Sequence, residues 1–105
     1  MSVYLVVQGK LKAGAEKIYE NYLRGVAPLM AEYAVEIVAV GAGLNNEFTT
    51  EAFPINAVMK LADEESLEKF LGDERYLKIK SEFRDAAYED LHLSVFRGRE
   101  PRKID

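Results

Sequence analysis

Residues 14–33 read GAEKIYENYLRGVAPLMAEY, and the spacing of their side chains decides the fold. Ala15, Ile18, Tyr19, Tyr22, Val26, Leu29, Met30 and Tyr33 recur at steps of three and four, which gathers them into one wide apolar stripe along a helix. Glu16, Lys17, Glu20, Asn21, Arg24 and Glu32 fall on the opposite face. Pro28 has no amide to bond back to Arg24, and Gly25 weakens the same turn, so a bend is expected there. A stripe of this width needs an apolar surface to lie on, and the flanking segments must supply it.

They read as strands. Val3 to Gln8 is a β-branched run ending at Gly9, too short for a helix, and is taken as strand one. Val35 to Val40, closed by Gly41 and Gly43, is strand two; Ile55 to Leu61 is strand three; Leu91 to Phe96 is strand four. A second helix starts at Asp63, a side chain suited to capping, with Glu64 and Glu65 at the positive helix end. Its apolar face is Leu67, Phe70 and Leu71; Gly72-Asp73 interrupts it, and Tyr76, Leu77, Ile79, Lys80 and Phe83 resume a helical period to about Tyr88. Between Ala42 and Pro54 the Asn45-Asn46 pair marks a turn, and Leu44, Phe48 and Phe53 predict a hairpin arm that reaches a second protomer.

The order β-α-β-β-α-β with right-handed crossovers predicts an α+β sandwich of ferredoxin-like plan, its antiparallel sheet in the order 4-1-3-2 and both helices on one face. Residues 1–97 make this domain and residues 98–105 a charged tail. Strand alternation sends Val3, Leu5, Val7, Ile37, Ala39, Ala57, Met59, Leu91, Leu93 and Val95 toward the helices. Tyr4, Val6, Gln8, Glu36, Val38, Val40, Asn56, Val58, Lys60, His92, Ser94 and Phe96 face the other way, a set too apolar to be left to water. A homodimer through this open sheet face is the expected cover.

Composition narrows the partners. At 105 residues the chain is one domain, and 14 basic against 18 acidic residues give a net charge of -4, which disfavours nucleic acid and anionic membranes. The absence of cysteine excludes disulfides and thiolate metal sites. No apolar run approaches the roughly 18 residues of a membrane span, and the first residues lack a secretory leader's pattern, so a cytoplasmic protein is expected. RNA-recognition modules of the same plan need aromatics on the central strands, where strand three has Asn56, Val58 and Lys60. No phosphate loop, nucleophile elbow or paired catalytic acids occur, and no metal or other cofactor is expected.

IYENYLRGVAPLMAEYAVEIVAVG and the later FLGDERYLKIKSEFRDAA, with its Phe, Tyr and Arg spacing, resemble the DUF1330 family of the dimeric α/β barrel superfamily. The chain departs from that pattern at Ala34, where a glycine pair is usual, and at Leu61-Ala62. The resemblance implies two ferredoxin-like protomers joined by their open sheet faces, sometimes around a small-molecule cavity, and brings no established reaction. Relatives in the superfamily are cofactor-free monooxygenases, lactone isomerases and haem-degrading proteins.

Sheet order locates the polar residues of the open face. The end of strand one at Gln8 lies near Asn56 and His92, with Ser94 one step along. His92, the only histidine, is the candidate general base or ligand-orienting group, with Gln8 and Asn56 as hydrogen-bond partners and no carboxylate evidently placed to hold its tautomer. Toward the other end Glu36 faces Lys60 in an expected ion pair, and Lys60 or Tyr4 is a candidate for binding an anionic or enolic oxygen. Two readings of function stand: a cofactor-free site for a small oxygen-bearing molecule on the open face, or a non-catalytic dimerisation module whose face is filled by self-association. Tyr19, Tyr22 and Tyr33 read as packing residues whose hydroxyls reach polar partners.

Overall fold

The computed structural model describes residues 1–48 and 52–99. Its elements are β1 (Val3–Leu11), α1 (Glu16–Glu32), β2 (Glu36–Gly41), β3 (Ile55–Leu61), α2 (Glu64–Gly72), α3 (Glu74–Ile79), a π-helical segment (Lys80–Arg84), the short α4 (Asp85–Ala87) and β4 (Tyr88–Arg97). The four strands form one antiparallel sheet in the order β2-β3-β1-β4, the ferredoxin-like order that the β-α-β-β-α-β succession predicts.

Val3 and Leu5 of β1 and Leu61 of β3 are buried against Val26 and Leu29 of α1, Leu67 and Phe70 of α2 and Tyr76 of α3. The stripe of α1 thus meets the sheet as its spacing requires, and the helix continues through Pro28, which is exposed. Asp63 caps α2 by accepting the Ser66 amide at 2.8 Å. Asp73 ends α2 and caps α3, accepting the Arg75 amide at 2.8 Å, and it also accepts the Tyr33 hydroxyl at 2.7 Å. Arg75 bridges that carboxylate to Glu32 at 2.9 Å, so the end of α1 is tied to the elbow between α2 and α3.

The turn from α1 into β2 has a left-handed residue. Ala34 has φ 53°, and the Val35 amide donates to the Met30 carbonyl at 2.8 Å, the six-to-one bond of a Schellman end. Glycine adopts this backbone without steric cost; alanine does not. The departure from the glycine pattern at Ala34 therefore leaves a strained residue at this helix end.

Three features differ from the expected layout. First, β2 and β3 shift register between Ile37 and Ala39, so one extra residue at Val38 reverses the alternation beyond it. Ala39 pairs with Val58 on the open face and Val40 pairs with Ala57 on the helix side, the opposite of the simple alternation. Second, β1 and β4 run longer than expected, and β4 begins at Tyr88, where the second helical pattern was expected to end. Third, the helical period does not persist past Ile79. The Asp85 amide bonds to the Lys80 carbonyl, an i→i+5 step, and the chain winds through a wider turn.

In the arm, the Gly43 amide donates to the Phe53 carbonyl at 2.9 Å and the Phe48 amide to Asn46 Oδ1 at 2.8 Å, as a turn at Asn45-Asn46 requires. Residues 49–51 of the arm and 100–105 of the charged tail lie outside the described residues. Leu44 and Phe48 are exposed, whereas Phe53 folds back to meet the ring of His92 in its own protomer, centroids 5.1 Å apart. Among the described residues no helix is long and apolar enough to cross a membrane.

Candidate functional site

The polar residues of the open face sit in a row across three strands. Gln8 of β1 is opposite Asn56 of β3 and His92 of β4. Gln8 Nε2 donates to Asn56 Oδ1 at 3.3 Å, and Asn56 Nδ2 donates to the carbonyls of Phe53 and Gly41 at 2.8 and 3.2 Å. Asn56 is thereby committed to the base of the arm. His92 Nε2 lies 2.9 Å from Asp90 Oδ1, and both share a shallow hollow with Gln8, Phe53 and Ser94. A carboxylate does stand beside the histidine. Asp90 is two residues before His92 on the same strand and the same face, and it escapes notice in the sequence because the strand is read as starting at Leu91.

Tyr4 and Lys60 are opposite each other, four strand positions from the Gln8 row, or roughly 13 Å. Tyr4 stacks on Phe96 with ring centroids 5.0 Å apart. Glu36 is opposite Lys60 as expected, yet the two make none of the ion pairs formed among the described residues. The candidate residues therefore form two clusters: Gln8, Asn56, His92 and Ser94 at one end, Tyr4 and Lys60 at the other.

A second site lies on the opposite side of the sheet. Between the helices and all four strands is a cavity of about 150 Å³, walled by apolar side chains such as Val7, Val40, Ala57 and Met59, and by Tyr19, Tyr22, Tyr76, Tyr88 and Arg84. The hydroxyls of Tyr22 and Tyr76 are 3.2 Å apart, and Arg84 Nη1 donates to the Tyr76 hydroxyl at 3.2 Å. Burial, then the neighbouring Tyr76 hydroxyl, pushes the Tyr22 pKa far up; burial, then Tyr19, does the same to Tyr88. Those two phenols therefore stay protonated.

Local structure explains why these groups converge. Gly9 on β1 leaves room for the Tyr88 ring: a methyl group there would stand 2.5 Å from Tyr88 Cε1. Arg84 follows Tyr76 by eight positions, which in an α-helix leaves the two side chains roughly 80° apart around the axis. The π-helical segment turns less per residue and closes that gap, so Arg84 reaches the cavity with only 13% of its side chain exposed. A regular helical period points instead to Phe83, which is why the arginine is not picked out from spacing. The available signal was the Phe, Tyr and Arg spacing of FLGDERYLKIKSEFRDAA, read as a fold motif. Among the described residues no group of three or more histidine, cysteine or acidic side chains comes together to hold a metal ion.

No family model matches the sequence, and no curated protein matches it. Solved structures do. A protein of unknown function from Rhodopseudomonas palustris superposes with a TM-score of 0.83 at 16% identity, over 95% of this chain and 84% of that one. A dimeric protein of unknown function with a ferredoxin-like fold from Bacteroides fragilis gives 0.61 at 13% identity, over 92% and 96%. A variant of SnoaB, a cofactor-independent oxygenase from Streptomyces nogalater, gives 0.63 at 14% identity, over 95% of each chain. The likeness is one of fold. It agrees with the strand order seen here and carries no residue's role across.

Proposed function

We propose that the chain is a homodimeric small-molecule-binding protein whose ligand, an oxygen-bearing molecule of about one ring, occupies the cavity between helices and sheet. The observation that carries this reading is the convergence of two phenol hydroxyls and a guanidinium on an apolar cavity of about 150 Å³. A few convergent polar groups in apolar walls are the usual make-up of a ligand site, and a cavity of about 150 Å³ holds a benzene-sized molecule. The open face then serves self-association, in keeping with its half-exposed Phe96, the valines Val6 and Val58, the dimeric Bacteroides fragilis neighbour and the resemblance to the DUF1330 family.

A second reading keeps the ligand on the open face, with His92 as base or orienting group beside Gln8, Asn56 and Ser94, and with Tyr4 and Lys60 at the far end. The Asp90–His92 contact at 2.9 Å favours it, since a carboxylate fixes an imidazole's tautomer and raises its basicity. Thermal shift with a panel of single-ring phenols, ketones and carboxylic acids separates the two. Ala57→Leu, which fills the inner cavity, is expected to abolish the ligand-induced rise in Tm, while His92→Gln leaves it intact. If no compound stabilises the protein, the inner-cavity reading fails; if His92→Gln alone abolishes the effect, the open-face reading replaces it.

A further inference from the structure

The cavity's polar groups are unbalanced toward donors, and that imbalance identifies what it takes; this inference rests on the cavity being the ligand site. Arg84 donates to the Tyr76 oxygen, and one hydroxyl hydrogen is used between Tyr22 and Tyr76. The other hydroxyl hydrogen has no acceptor among the described residues. Of the five N–H groups of Arg84, Nε and Nη2 each give one to Asp85 Oδ1 at 3.3 Å and Nη1 gives one to Tyr76, which leaves two unspent. No carboxylate, amide or imidazole lines the cavity to answer these donors.

Charge points the same way. Asp85, the carboxylate paired with Arg84, is also within 3.9 Å of Lys80 and is half exposed, so one anion is shared between two cations. Of the two cations, Arg84 is the one that lines the cavity, sheltered from water. A planar oxyanion suits a guanidinium fork and an adjacent hydroxyl better than any neutral acceptor does.

We propose that the cavity binds a small hydrophobic carboxylic acid as its anion, about the size of benzoate, with the carboxylate toward Arg84 and the Tyr22–Tyr76 hydroxyls and the ring toward Val7 and Met59. Apolar side chains such as Val7, Ala57 and Met59 supply the walls, so selectivity between acids comes from ring size and selectivity for acids from the one arginine.

Calorimetric titration of the full chain with benzoate, benzamide and toluene tests this. Benzoate is expected to bind at least about tenfold more tightly than benzamide, the neutral near-isostere. Arg84→Gln is expected to remove that advantage while benzamide binding changes little, and Arg84→Lys, which keeps the charge without the fork, to restore part of it; circular dichroism establishes that each variant is folded. Benzamide or toluene binding as tightly as benzoate overturns the carboxylate and leaves the cavity reading standing. Benzoate binding that survives both Arg84→Gln and Ala57→Leu overturns the assignment to this cavity. No binding by any of the three overturns both.

Discussion

Replacing Ala34 with glycine should make the protein more stable, although it removes a methyl group and loosens the unfolded chain. Ala34 sits at φ 53°, and a left-handed non-glycine residue costs about 1–2 kcal/mol. Glycine's extra freedom in the unfolded state returns about 0.4–1 kcal/mol of that gain. The side chain is exposed, so no packing is lost, and the net stabilisation is about 0.5–1 kcal/mol. For a chain of this length that corresponds to a rise in Tm of about 2–6 °C. Thermal unfolding at one fixed protein concentration, followed by circular dichroism, measures it, with urea unfolding as the companion: the midpoint should rise at unchanged slope. Ala34→Val, which puts a β-branched side chain in the same backbone, should move both in the opposite direction. If glycine lowers the Tm, or valine leaves it unchanged, the helix end is not left-handed in solution and the strain assigned to Ala34 is absent.

Gly9→Ala should destabilise by about 1–3 kcal/mol, because the new methyl meets the Tyr88 ring at 2.5 Å and displaces it from the cavity wall; an unchanged urea midpoint would count against the packing described. Hydrogen bonds from Arg75 and then Tyr33 hold the Asp73 carboxyl well below its ordinary 3.8, and the Ser66 amide lowers Asp63. With folded values below the unfolded ones, the unfolded chain takes up protons first, so this stabilisation is whole above about pH 5 and is lost as the pH falls below about 4. Asp73→Asn should therefore lose less Tm than the parent between pH 6 and pH 3; an identical slope would remove Asp73 from the account. Val58→Asp puts a carboxylate in the middle of the open face and should yield monomer or aggregate by light scattering; a parent chain monomeric at micromolar concentration, or a stable dimeric variant, would refute the proposed interface.

The strand order, the stripe of α1, the Asp63 cap and the break at Gly72-Asp73 were all legible, because each follows from spacing or from one residue's chemistry. The row of Gln8, Asn56 and His92 was legible as well, since register follows once the strand order is known. What escaped were departures from uniform period. Val38 and Val40 are equally good strand residues, and nothing local says that an extra residue sits between Ile37 and Ala39. Asp90 was lost to a strand boundary three residues late. The inner cavity is of another kind: Tyr22 and Tyr76 have the spacing of packing residues, and only the tertiary fold joins their hydroxyls to one another and Tyr76 to Arg84.

The wide turn at Lys80–Arg84 makes the character of the cavity depend on helical pitch as much as on residue identity. Forced into an ordinary α-helical pitch at the same length, the segment would turn Arg84 about 80° away from the face that holds Tyr76. The guanidinium would then leave the inward face, while the walls supplied by α1, β1 and β3 stayed where they are. A change of winding alone is thus enough to turn a donor-rich, cationic pocket into a nearly neutral one, without any change to the strand order that carries it.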